Sequence, residues 1–171
     1  GAQIMSMNRR TALIAPLATA VGFSGLSGCA LSDNAPDSSF LLLDGSYTNM
    51  GTLKGKVLLI NFWATTCTTC VKEMPEIVNT YIKFQSKGFE TVAVAMQYDP
   101  VNWVVNFTKT RQLPFKVALD NTGENAKQWG DIKITPTTFI VDKQGKIVKK
   151  YVGAPDFVAL HALLENLLSE G

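Results

Sequence analysis

The stretch Val57-Leu58-Leu59-Ile60-Asn61-Phe62-Trp63-Ala64-Thr65-Thr66-Cys67-Thr68-Thr69-Cys70 decides the reading of this chain. Its first seven residues are a near-continuous apolar run, the pattern of a strand buried on both faces of a sheet. Beyond Cys67, apolar residues recur at Val71, Met74, Val78, Tyr81 and Ile82. That three-and-four spacing predicts an amphipathic helix over 67–87, with Gly88 as its stop. Pro75 lies inside the pattern and is expected to kink the helix, because it removes an N–H and crowds the preceding turn. Cys67 and Cys70 therefore stand where a buried strand hands over to a helix.

That placement has chemical consequences. A sulfur at a helix N-terminus faces unpaired backbone N–H groups and the positive end of the helix dipole, which favours thiolate over thiol. Cys67 is therefore expected to be the attacking sulfur. Cys70, one turn further in, is expected to be more buried and to resolve a mixed disulfide by attacking Cys67. Two other readings of the pair compete. Half of a zinc site needs two more Cys or His ligands, and only Cys29 and His161 remain. A purely structural disulfide would close a very short loop and so restrain little. Neither a metal nor another cofactor is expected, and His161, the sole histidine, is assigned no role.

Working outward, the chain from Phe40 alternates strand-like and helix-like blocks, which argues an α/β layered architecture. Residues 40–43 and 52–53 are expected to form a small hairpin around Asp44-Gly45. Strands are expected at 89–96 and 116–119, and helices at 101–111 and 123–129. An antiparallel hairpin, 138–142 with 146–152, turns through Lys143-Gln144-Gly145. Phe157, Leu160, Leu163, Leu164 and Leu167 mark one face of a closing helix.

The 171 residues suffice for one well-cored domain, and a net charge of +2 supplies no electrostatic footprint for nucleic acid. Three cysteines cannot all pair within the chain, so Cys29 needs its own explanation. It follows Asn8-Arg9-Arg10 and the apolar stretch 12–26, the layout of a secretory signal. Leu26-Ser27-Gly28-Cys29 resembles the lipobox of bacterial lipoproteins, which implies an acylated Cys29. A plain signal peptide or a transmembrane anchor are the alternatives, though the apolar stretch is short against the roughly 20 residues of a span. Residues 1–4 precede the candidate initiators Met5 and Met7 and read as a cloning remnant. The expected organisation is a lipoprotein signal over 5–28, acylated Cys29 and a polar tether over 29–39, and one domain over 40–171.

Trp63-Ala64-Thr65-Thr66-Cys67-Thr68-Thr69-Cys70-Val71-Lys72-Glu73-Met74-Pro75 resembles the W-A-x-x-C-x-x-C-x-x-E-x-P signature of TlpA/ResA-like thioredoxin-family thiol:disulfide oxidoreductases. Leu53-Lys54-Gly55-Lys56-Val57 is similar to that family's approach to its first core strand. Ile134-Thr135-Pro136-Thr137-Thr138-Phe139 is similar to its cis-proline loop. The resemblance implies a thioredoxin-like fold, with a central mixed sheet flanked by helices, an N-terminal β-hairpin and an inserted helix and strand over about 100–120. It also implies a cis bond between Thr135 and Pro136. Substrate is expected to be bound by Trp63, Thr135 and Pro136, with the backbone at Thr135 pairing to an extended client. Glu73 is implied to be a buried carboxylate that accepts a proton from Cys70, burial having raised its pKa. An exposed first-turn Glu serving only the helix dipole is the alternative. Asn61 stands where cytosolic thioredoxin has a buried Asp, and Thr68-Thr69 replaces that protein's Gly-Pro.

The function these readings imply is a membrane-tethered protein-disulfide reductase on the periplasmic side of a bacterial cell envelope. Its partners are expected to be a disulfide-containing client, such as apocytochrome c, and a membrane electron donor. It is expected to be a monomer. A disulfide oxidant or isomerase, or a copper-binding assembly module using the same cysteines, are the alternatives. A peroxidase of the peroxiredoxin kind would need a P-x-x-x-T-x-x-C motif, and Ile60 and Ala64 occupy its proline and threonine positions.

Overall fold

The computed structural model describes residues 34–171; the expectations for the signal segment and Cys29 lie outside the described residues. In chain order the elements are β1 (Ser39–Leu42), β2 (Tyr47–Asn49), α1 (Met50–Leu53), β3 (Val57–Trp63) and α2 (Thr68–Phe84). They continue with β4 (Phe89–Ala95), α3 (Val101–Arg111), β5 (Lys116–Leu119) and α4 (Glu124–Gln128). Strands β6 (Thr137–Val141) and β7 (Ile147–Val152) and helix α5 (Phe157–Ser169) complete the domain.

The seven strands form one mixed sheet in the order β2-β1-β5-β4-β3-β6-β7. All seven residues of β3 and of β4 are buried, including the polar Asn61 of β3 and Glu90 and Thr91 of β4. The two strands run parallel, Val57 opposite Phe89 and Trp63 opposite Ala95, so the chain must cross over between them, and α2 is that crossover. Strand β6 lies antiparallel on the other side of β3 and joins β7 through a turn at Gly145, whose φ of +85° suits glycine. Alternation along β3 divides the core. Val57, Leu59 and Trp63 pack with Met74, Ile77 and Phe84 of α2, Val104 of α3, and Leu160 and Leu164 of α5. Leu58, Ile60 and Phe62 face the other way, with Phe40, Leu53, Trp129 and Phe139. The expected mixed sheet, inserted helix and strand, and closing helix are all present.

Three local expectations need correction. Thr52 and Leu53 are in a short helix, not a strand; β2 forms earlier, at Tyr47–Asn49. Asn49 caps that helix, its side chain accepting the Thr52 N–H at 3.0 Å while the Thr52 hydroxyl accepts the Asn49 N–H. The polar stretch before Phe40 is not a free tether from Asn34 onward. Asn34 bridges to Lys146, Ala35 N–H donates to the Gly145 carbonyl, and buried Ser38 bonds Gln128 and the Trp129 indole. Its polar groups find partners within the domain, buried Ser38 and Trp129 among them, where composition shows only turn-formers. Finally, α2 runs through Pro75 to Phe84. A tighter turn over Gln85–Lys87 then ends at left-handed Gly88, so the helix proper stops one turn earlier than expected.

Candidate active site

Cys67 is the N-cap of α2, and its sulfur accepts the Cys70 N–H at 3.2 Å. It is reached by a tight turn in which Cys67 N–H donates to the Ala64 carbonyl at 3.1 Å. Cys67 and Cys70 are joined in a disulfide, with Cα atoms 5.2 Å apart. Cys67 is half-buried and Cys70 fully buried, the asymmetry expected of an attacking and a resolving sulfur. The intervening Thr68 and Thr69 are exposed.

One turn along α2, Glu73 is only 4% exposed, so the alternative of a solvated first-turn carboxylate does not hold. Its Oε1 accepts a hydrogen bond from Asn61 Nδ2 at 3.1 Å, and the same Nδ2 lies 3.0 Å from the Thr138 hydroxyl. Glu73 Oε2 and Asn61 Oδ1 are buried with no partner among the described residues. Burial pushes the Glu73 carboxyl up to about 7, against the opposing effect of the Asn61 hydrogen bond. A carboxyl poised there can exchange protons near neutral pH.

The Thr135-Pro136 peptide bond is cis. Sheet register places it at the cysteine end of the domain: Thr137 pairs with Phe62, one residue before Trp63. Among the described residues no backbone group bonds to the N–H or carbonyl of half-buried Thr135, which leaves both free for an incoming strand. Trp63 requires a correction. It is fully buried, with its ring 5.2 Å from that of Phe107 and in the same core cluster as Cys70 and Met74. The inward phase of β3 makes it part of the support beneath the site and keeps it from client contact in this state.

The sequence reading missed Asp99. Its carboxylate is 5% exposed and accepts both the N–H of Thr65, at 2.7 Å, and the Thr65 hydroxyl, at 2.6 Å. Asp99-Pro100 before a helix reads as an ordinary turn, and no local pattern reveals a partner 34 positions away. His161 of α5 faces α2, its Nε2 2.8 Å from the Thr80 hydroxyl; burial pushes its pKa down. Among the described residues no three His, Cys, Asp or Glu side chains gather as a metal-ligand set.

A mixed sheet with a redox cysteine pair in the first turn of the helix after its central strand, and a cis-proline just before the adjacent strand, defines a thioredoxin-fold thiol–disulfide oxidoreductase. The Redoxin family profile matches residues 30–164, and the chain belongs to that family, among its ResA-like thiol–disulfide oxidoreductases. Thiol-disulfide oxidoreductase ResA of Bacillus cereus is 35% identical over 173 residues, covering 95% of this chain and 99% of that protein. ResA of Bacillus subtilis is 32% identical over 169 residues, covering 95% and 93%. The crystal structure of a thioredoxin-family thiol:disulfide interchange protein from Chlorobium tepidum superposes with a TM-score of 0.74 at 27% identity, covering 83% of this chain and all of that one.

Proposed function

We propose that this enzyme is a reductase of protein disulfides outside the cytoplasm, held to a bacterial membrane by an acylated Cys29. The observation that carries the redox roles is the stacking of three groups along α2: half-buried Cys67 at its cap, buried Cys70, and buried Glu73 one turn on. In the reduced enzyme the Cys67 thiolate attacks a client disulfide, forming a mixed disulfide and expelling one client thiolate. Glu73 takes the proton of Cys70, whose sulfur attacks Cys67 and expels the second client thiolate. The client gains two electrons and, with protons from Cys70 and solvent, leaves as a dithiol. The Cys67–Cys70 disulfide that remains must be reduced by a membrane electron donor, because export compartments are oxidising. The free backbone at Thr135 suits it to pair with an extended client such as apocytochrome c.

Direction of electron flow is tested by equilibrating the chain with dithiothreitol or glutathione and following Trp63 fluorescence. A potential of about −270 mV or lower is expected of a reductase; a value near about −120 mV would make the enzyme an oxidant. Anchoring is tested by Cys29→Ser, expected to abolish acyl labelling and membrane fractionation. Unchanged fractionation removes the anchor.

A further inference from the structure

We infer that Asp99 is a positioning residue for the redox centre: its buried carboxylate clamps Thr65 and so fixes the turn that presents Cys67. The clamp consists of two hydrogen bonds to one residue, 2.7 Å to the backbone N–H and 2.6 Å to the hydroxyl, the short distances of charge-assisted bonds. A buried carboxylate is costly unless its charge is met. Among the described residues no Lys, Arg or His pairs with Asp99, so these two bonds carry the compensation.

What they hold is specific. Thr65 is the second residue of the turn closed by Cys67 N–H and the Ala64 carbonyl. Asp99 is held in turn by its own N–H on the Met96 carbonyl, 3.0 Å, while Met96 N–H donates to the Trp63 carbonyl, 3.0 Å. The exits of β3 and β4 are thereby locked into one unit two residues ahead of Cys67. That unit sets where the Cys67 sulfur sits relative to the α2 N-terminus and its bond from Cys70 N–H. Thiolate stabilisation at a helix end falls off within one turn, so a turn released from Asp99 presents a less reactive sulfur.

Charge and position act in opposite directions, which makes the inference testable. Removing a nearby negative charge by itself favours the Cys67 thiolate; loosening the turn disfavours it. In Asp99→Asn the amide oxygen accepts the Thr65 N–H and the amide N–H donates to the Thr65 hydroxyl, so the clamp persists without its charge. In Asp99→Ala both bonds are lost.

The test uses the reduced full chain, with iodoacetamide alkylation at pH 7 read at the Cys67 peptide by mass spectrometry. Denaturant unfolding is measured in parallel. Asp99→Ala is expected to slow Cys67 alkylation about fivefold or more and to raise the pH midpoint of its rate, a full pH unit being tenfold in thiolate where the thiol predominates. Asp99→Asn and Thr65→Ser are expected to stay near or above the wild-type rate. An Asp99→Ala chain that is folded, even if less stable, with wild-type rate and midpoint overturns the inference. So does Asp99→Asn behaving like Asp99→Ala. Should Asp99→Ala fail to fold, Thr65→Val removes only the hydroxyl bond; it is expected to slow alkylation about twofold, and an unchanged rate overturns the inference equally. The inference rests on Cys67 being the attacking sulfur. That reading fails separately, if wild-type label appears on Cys70 first.

Discussion

Replacing Glu73 by Gln isolates what a buried carboxyl costs this fold. Gln keeps the oxygen that accepts from Asn61 Nδ2 and resembles the protonated carboxyl in shape and charge. The folded chain holds the Glu73 proton to a pH of about 7, against an ordinary carboxyl value of 4.5. At about 1.4 kcal/mol per pH unit, that gap amounts to about 3 kcal/mol. The sign follows from proton counting. Between pH 4.5 and about 7 the folded state binds the proton and the unfolded state does not, so this group makes stability fall as pH rises through that window.

Guanidinium unfolding of the oxidised chain, with the disulfide intact so that neither Cys67 nor Cys70 titrates, is the assay. Below pH 4.5 the wild type and Glu73→Gln are expected to differ only by a constant set by packing. Through the window the difference should move by about 3 kcal/mol in favour of Gln and then level off. Other titrating groups cancel in the comparison. A difference flat to within about 0.5 kcal/mol from pH 4.5 to 8 would refute the account of a carboxyl desolvated without adequate partners. A difference moving the opposite way would mean that Glu73 is ionised and compensated in the folded state.

Three further outcomes follow from the same geometry. Cys70→Ser, which leaves Cys67 without its resolving sulfur, is expected to accumulate a mixed disulfide with client or with glutathione, seen as a mass increase at Cys67 that dithiothreitol removes; turnover continuing at the wild-type rate would contradict the assigned order of attack. Leu164→Ala empties a fully buried position on α5 and is expected to cost about 2–5 kcal/mol in denaturant unfolding. Asp156→Ala removes the side chain that accepts the Val158 and Ala159 N–H groups at the start of α5, at 3.0 and 3.2 Å, and is expected to cost about 0.5–2 kcal/mol by the same measurement.

Periodicity carried most of the fold because it reports burial directly. β3 is legible as a near-continuous apolar run and β4 by its apolar Val92, Ala93, Val94 and Ala95, since both of their faces are covered, and α5 because Leu160, Leu164 and Leu167 recur with the helical period. The redox pair was legible because its chemistry depends on a spacing of two residues within one local element. The failures are of a different kind. The helix at Met50–Leu53 depends on a cap in which Asn49 and Thr52 satisfy each other, which a four-residue window of mixed polarity does not announce. The segment before Phe40 reads as polar linker because its partners, Gln128, Trp129 and Gly145, are more than 85 residues away. Trp63 was assigned to client contact from a motif, which names a residue without the phase of its strand.

The support of the site lies mostly in such distant pairs. Cys67 and Cys70 come from one short segment, but Glu73 is held by Asn61, Asn61 also reaches Thr138, and the turn before Cys67 is held by Asp99. The sheet brings these together: β3 lies between β4 and β6, so the loop that follows β3 meets the exit of β4 on one side and the start of β6, with the cis bond at Pro136, on the other. Strand order thus places at one end of the domain residues that no local pattern connects. The chemistry is legible in sequence because it needs two sulfurs close together in the chain. The environment that tunes those sulfurs is not, because it is assembled from neighbouring strands.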